Sequence, residues 1–210
     1  MIEYVYENNI DDRVLARADR VLSGGGLVAF PTDSSWAIGG SVDSREAIEK
    51  LKKLKGGVRN YTISMICQDI SQMSDVAKID TPHFKLIKRL TPGAYVFVLP
   101  ARNRVEKIIN MKRMEIGLRM ADSPIPKALV QKHGAPIFSI TACRDMNNKD
   151  WWDYEFAEEN LFESGWELED IEGVEMVIDT GEAQPKHLTT VIRLTEDEPE
   201  IIREGSGPLP

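Results

Sequence analysis

Gly24-Gly25-Gly26-Leu27-Val28-Ala29-Phe30-Pro31-Thr32-Asp33-Ser34-Ser35-Trp36-Ala37-Ile38-Gly39-Gly40 is the stretch on which the reading of this chain turns. The apolar run from Leu27 to Phe30, bounded by glycine and proline, reads as a buried strand. Pro31 fixes its own φ and withdraws an amide donor, so a turn rather than a helix follows. The hydroxyls of Thr32, Ser34 and Ser35, with the Asp33 carboxylate, then form a polar rim at a strand end, suited to a small charged ligand. The same residue types favour helix N-caps and Asx-type turns, so the motif alone carries both readings.

Working outward, residues 11–22 have helical periodicity, with Val14, Leu15, Ala18, Val21 and Leu22 on one face and the glycine triplet as a stop. Ser44 reads as the N-cap of a second helix over residues 44–54, with Ala47, Ile48, Leu51 and Leu54 as its apolar stripe. Gly56-Gly57 ends that helix and opens a loop containing Arg59. Further strands are expected at 62–67, 95–99, 116–120, 137–141, 174–178, 190–194 and 200–203, and further helices at 70–76, 83–90 and 125–133. Thr91-Pro92-Gly93 reads as a turn. The aromatic and acidic segment 147–172 reads as an insertion or lid. Strands interleaved with helices, with no repeat and no linker, predict one α/β domain over residues 1–210, built on a mixed sheet.

Bulk properties narrow the function classes. The apolar content of 42% and charged content of 29% are those of an ordinary globular protein. No apolar run reaches the length of a membrane span, and the acidic start Met1-Ile2-Glu3 is unlike a signal peptide, so a cytoplasmic protein without membrane contact is expected. Cys67 and Cys143 sit in apolar contexts and read as buried thiols. His83, His133 and His187 lack metal-ligand spacing, so no metal site is expected. A net charge of −8 disfavours non-specific coating of nucleic acid. The charge is uneven, however: Lys50, Lys52, Lys53, Lys55 and Arg59 cluster, as do Lys85, Lys88 and Arg89, while residues 150–175 are strongly acidic. A positive cavity on an acidic protein is consistent with that distribution.

Ordered segments along the chain resemble the YrdC/YciO family, whose best-known members are L-threonylcarbamoyladenylate synthases. They are Phe30-Pro31-Thr32-Asp33-Ser34, the helix ending at Lys55, Thr91-Pro92-Gly93, Gly117-Leu118-Arg119, Ile137-Phe138-Ser139, Thr189-Thr190-Val191-Ile192 and Ile202-Arg203-Glu204-Gly205. The resemblance implies a single-domain twisted mixed sheet with flanking helices and a concave basic cavity. It also implies synthesis of threonylcarbamoyl-AMP and pyrophosphate from ATP, L-threonine and bicarbonate, for modification of tRNA. By family position Lys55 is an expected catalytic cation, meeting phosphate or carboxylate oxygens, and Arg59, the arginine nearest to the family's Lys-x-Arg position, is expected as the second. Thr32 is expected at the threonine substrate, Arg119 and Ser139 at the nucleotide phosphates, Ser34 and Thr141 among the substrate-binding residues, and Arg203 as the end of the basic wall. ATP would be a substrate carried with Mg2+, because an anion attacking a polyanion requires charge neutralisation.

Each residue also has a plainer reading. Lys55 fits a solvated cation at a helix C-terminus. Arg119 fits an exposed strand residue, Ser139 a core-edge hydroxyl, and Thr189-Thr190 simple β-formers. The chain also departs from the synthase pattern. Where synthases carry Lys-x-Arg, this sequence reads Lys55-Gly56-Gly57; where they carry Ser-x-Asn it reads Ser139-Ile140-Thr141; and Val96 replaces a threonine. Those departures, with Gln184-Pro185-Lys186, are similar to the YciO branch. The alternative reading is a double-stranded RNA-binding or ribosome-associated translation factor that keeps the fold without the chemistry.

Overall fold

The computed structural model of the chain describes residues 1–56, 64–102, 115–144, 146, 158–196 and 198–209. Among these residues one sheet contains ten strands: β1 Ile2–Tyr4, β2 Leu27–Pro31, β3 Trp36–Ser41, β4 Ser64–Ile66, β5 Tyr95–Pro100, β6 Glu115–Arg119, β7 Ile137–Thr141, β8 Val174–Asp179, β9 Thr190–Arg193 and β10 Glu200–Arg203. Their spatial order is β1-β8-β2-β3-β7-β4-β6-β5-β9-β10. Four pairs are parallel (β1 with β8, β2 with β8, β4 with β6, β5 with β9) and the other five antiparallel, which makes the sheet mixed. The helices are α1 Asp12–Ser23, α2 Arg45–Leu54, α3 Ile70–Val76, α4 Thr81–Leu90 and α5 Pro124–His133.

Strand alternation sends neighbouring side chains to opposite faces. On β2, Leu27 and Ala29 join a core shared with α2, α3 and α4, while Val28 and Phe30 join a second core with α1 and α5. Helix starts follow local chemistry: the carboxylates of Asp11, Asp69 and Asp80 and the Ser44 hydroxyl each accept a first-turn amide hydrogen bond. On the second face, His133 at the end of α5 links Asp19 of α1 to Ser41 of β3, at 2.8 Å on each ring nitrogen.

Two strands, β1 and β3, were not legible in sequence. In β3 the reason is Gly39-Gly40, which reads as a breaker but answers close packing on both faces. A Cβ at Gly39 would lie 2.8 Å from Ile137 and Phe30, and one at Gly40 would lie 2.8 Å from Ala47 of α2. The expected lid is only partly described. Residues 147–157, with Trp151 and Trp152, lie outside the described residues, whereas residues 158–172 pack into the fold as two 3-10 turns, burying Leu161 and Leu168 completely.

The segment after β10 is fastened to β9 by backbone and hydroxyl bonds. Thr190 Oγ1 donates to Gly207 O (2.6 Å) and accepts from Gly205 N (3.0 Å), and Ser206 N donates to Leu188 O (2.8 Å). A Cβ at Gly205 would lie 2.3 Å from Leu188 O and 2.4 Å from the Thr189 carbonyl carbon, and backbone cannot give way as a side chain would. Gly205→Ala is therefore expected to lose about 1–3 kcal/mol of stability, measured by urea unfolding.

Candidate functional site

The turn between β2 and β3 is organised by one hydroxyl. Thr32 Oγ1 donates to Ser35 O (2.7 Å) and accepts from the amides of Ser34 (3.2 Å) and Ser35 (3.3 Å). This is the local side-chain-to-backbone bonding that threonine and serine favour, and it buries Thr32, Ser34 and Ser35. His187 N donates to Ser34 O (2.9 Å), tying the turn to the segment before β9. With its proton committed to Ser35, the Thr32 hydroxyl faces the site as an acceptor.

Arg119, the last residue of β6, fills that acceptor position. Its guanidinium donates to Thr32 Oγ1 (3.3 Å) and Ser34 Oγ (3.0 Å) and forms an ion pair with Asp33. Arg119 is 7% exposed, not an open strand residue, and its Nε is buried with no hydrogen-bond partner. Burial lowers its pKa, while the Asp33 charge works the other way.

Arg203, the last residue of β10, is aimed by Thr189. Its Nε donates to Thr189 O and a terminal nitrogen to Thr189 Oγ1, both at 3.0 Å. Burial pushes Arg203 down to about 10, and the Arg119 charge adds to that. Lys55 caps the C-terminus of α2 and is 5% exposed, so the solvated-cation reading fails for it. Burial pushes Lys55 down to about 8; the nearby Cys143 sulfur opposes the shift and the Arg203 charge adds to it. Charge thus links the three cations in sequence, Arg119 acting on Arg203 and Arg203 on Lys55.

Small residues line up across neighbouring strands of the sheet. Registers across four strands align Gly39, Ser139, Ser64 and Gly117 in one row. Ser139 Oγ lies 3.2 Å from Ser64 Oγ, and Thr141 shares the Ser139 face two residues on, half-buried opposite Ala37. The structure thus groups Thr32, Ser34 and Arg119 by direct contact, and couples Arg203 and Lys55 to them through charge. Arg59 and Gly57 lie outside the described residues. Sequence reading missed Ser64, the anchoring role of Thr189 and the pairing of Asp33 with Arg119. The register and the approach of β6 to the turn are long-range facts with no local signal.

Three other lysines of the basic cluster are neutralised locally. Lys50 pairs with Glu46 and Glu175, Lys52 with Glu49 and Lys53 with Glu172. Among the described residues no group of three or more His, Cys, Asp or Glu could hold a metal ion, and no helix is long and apolar enough to cross a membrane. Asp19, His133 and Ser41 have the spacing of a hydrolytic triad, but Ser41 is 2% exposed and no substrate reaches it.

Lys55 gives the site a pH signature. In the unfolded chain it titrates near 10.5 and in the folded chain near 8. Below pH 8 both states are protonated and the cost of burying the charge is complete; between pH 8 and 10.5 only the unfolded state keeps the proton, and stability rises with pH. Lys55→Met is therefore expected to stabilise the protein near pH 7 by up to about 3 kcal/mol, with the gain vanishing towards pH 10.5 in denaturant titrations.

Comparison with known proteins adds independent findings. The family model Sua5_yciO_yrdC, described as "Telomere recombination", matches residues 20–205. The uncharacterized protein YciO of Escherichia coli (strain K12) is 31% identical over 205 residues, covering 97% of this chain and 95% of its own length. The crystal structure of E. coli YciO superposes with a TM-score of 0.85 at 28% identity, over 99% of this chain and 97% of that one. The threonylcarbamoyl-AMP synthase of Saccharophagus degradans is 28% identical over 61% of this chain and 68% of its own length. The P. abyssi Sua5 crystal structure complexed with L-threonine has a TM-score of 0.82 at 26% identity, over 98% of this chain but 57% of that chain.

Proposed function

The chain belongs to the Sua5/YciO/YrdC family, and on that premise we propose that it is a nucleotidyl-transferring enzyme of the threonylcarbamoyl-AMP synthase type. The observation that carries the reading is a buried Arg119 seated on a turn of buried hydroxyls, with the half-buried Arg203 and the buried Lys55 linked to it in turn through their charges. Like charges held together at low solvation are a resting state that an anion relieves, and a phosphate chain is the anion that reaches all three. Relatives named threonylcarbamoyl-AMP synthase, and a Sua5 relative complexed with L-threonine, support the substrate class.

In the proposed reaction L-threonine and bicarbonate furnish a carbamate. A carbamate oxygen attacks the α-phosphorus of ATP, the bond to the β-phosphate oxygen breaks, and pyrophosphate leaves. Lys55 and Arg203 would neutralise the phosphate chain, Arg119 would receive an anionic group beside Thr32 and Ser34, and the Ser139 and Thr141 hydroxyls would line the floor. Arg59 would add a cation from the loop after α2. Mg2+ would enter on the nucleotide.

Incubation with ATP, Mg2+, L-threonine and bicarbonate, followed by mass spectrometry, is expected to show threonylcarbamoyl-AMP and pyrophosphate. Absence of both, with ATP bound, would move the acyl substrate elsewhere. Arg119→Ala and Lys55→Ala are each expected to weaken ATP binding by about tenfold or more while remaining folded, since a charged hydrogen bond is worth about 1.5–3 kcal/mol. ATP affinity is expected to fall as pH rises through about 8, where Lys55 loses its proton. Gly57→Arg combined with Thr141→Asn restores the guanidinium and amide of the synthase pattern and is expected to raise the rate.

A further inference from the structure

We propose that this chain has a second ligand site, a cavity at the far end of β9 that takes a free α-amino acid with a branched apolar side chain. The cavity has a volume of about 300 Å3 and lies where the connection between α3 and α4 meets the ends of β5 and β9. None of its residues belongs to the group proposed for the synthase chemistry. Thr189, which holds Arg203, and Leu194, which lines the cavity, are five residues apart along an extended chain, about 16 Å.

Charges of both signs surround the space. Lys78 and Arg102 stand where the α3–α4 connection bonds to the end of β5: Lys78 N donates to Pro100 O (2.8 Å) and Arg102 N to Val76 O (2.9 Å). Arg102 Nε donates to Ala77 O (3.0 Å), so a carboxylate would bind at the terminal nitrogens. Glu196, on the turn after β9, brings the opposite charge. Among the described residues Lys78, Arg102 and Glu196 form no ion pair, with one another or with any other group. Opposite charges that line one cavity without closing on each other are completed by a zwitterion, whereas a lone anion or a lone cation would meet a like charge.

His83 gives a second, independent indication. Its Nδ1 lies 3.0 Å from Asp80 Oδ1, and a carboxylate only accepts, so Nδ1 carries a proton. The same oxygen accepts from His83 N (2.8 Å), which commits Asp80 to the first turn of α4 and leaves Glu196 as the carboxylate for a ligand. His83 is 6% exposed and lines the cavity, yet its Nε2 is buried with no hydrogen-bond partner among the described residues. In the neutral ring Nε2 is an acceptor, and the ammonium group of an amino acid supplies the missing donor. The rest of the lining, Ile79, Pro100 and the buried Leu194, is apolar and suits an aliphatic side chain.

Calorimetric titration with L-leucine tests the site, beside isocaproate, which lacks the ammonium group, and isoamylamine, which lacks the carboxylate. L-Leucine is expected to bind at least about tenfold more tightly than either. Arg102→Gln and Glu196→Gln are each expected to weaken L-leucine about tenfold, while Arg119→Ala leaves its affinity unchanged. In heteronuclear NMR the His83 Nε2 resonance, identified by its loss in His83→Gln, is expected to shift as L-leucine is added. No binding of L-leucine to wild type, or equal binding of isocaproate, would overturn the proposal. Affinity lost in Arg119→Ala but kept in Arg102→Gln would also overturn it, by placing the amino acid in the synthase site, and would leave the functional reading standing. Should Arg102→Gln fail to fold, Glu196→Gln, on an exposed turn, decides the matter.

Discussion

Keeping an arginine out of water beside a second arginine and a lysine is the constraint around which the rest of this structure is arranged. A buried charge is tolerated only where hydrogen bonds and a counter-charge replace its hydration. Arg119 meets that condition through the turn after β2, which offers two hydroxyls and a carboxylate within reach of one guanidinium. The turn can do so because its own backbone is satisfied from inside, by the Thr32 hydroxyl. Arg203 meets the condition differently, through the carbonyl and hydroxyl of Thr189. The tail after β10 bonds to Leu188 and Thr190, on either side of the Thr189 that aims Arg203.

The fold puts these groups together from distant parts of the chain. β2 supplies the turn, β6 supplies Arg119, β10 supplies Arg203 and the end of α2 supplies Lys55. Apolar cores on both sheet faces fix the strands, and the small residues aligned across β3, β7, β4 and β6 let neighbouring side chains such as Phe30, Ile137 and Val96 pack close to the sheet. Lys55 marks a tension between stability and ligand binding, since a lysine pushed down to about 8 is a cost to the fold that a bound anion would remove.

Much of this was legible in the sequence where the signal is local. The strands at Leu27 and Ile137, the helices at Ile70 and Pro124 and the turn after Phe30 follow from periodicity and from proline and glycine placement. β3 was hidden because Gly39 and Gly40 have the composition of a turn, and their reason for being there is Ile137, Phe30 and Ala47 packed against them. The hydroxyl turn was visible as a polar rim, but its partner was not: nothing near Asp33 in sequence points to Arg119, eighty-six positions on. Lys55 shows the limit of helix-end reasoning, since the dipole argument favours a cation there without saying whether it meets solvent or interior. The Lys50–Lys53 cluster, which looked like an anion surface, is balanced by glutamates from its own helix and from β8 and its approach.

The strand order carries one more consequence, for the time course of folding. β2 pairs with β3 through a four-residue turn, yet its other neighbour is β8, and β1 also waits for β8, with Val177 N bonding to Met1 O. Contacts so far apart in sequence form late, because closing long loops costs entropy before any contact repays it. The hairpin bearing the hydroxyls is local and can form early, whereas Arg119 reaches it, and Arg203 reaches Thr189, only when the sheet has closed around β6, β9 and β10. Mutual repulsion among the cations is therefore met at the final stage of assembly, when the surrounding hydrophobic contacts are already in place to contain it.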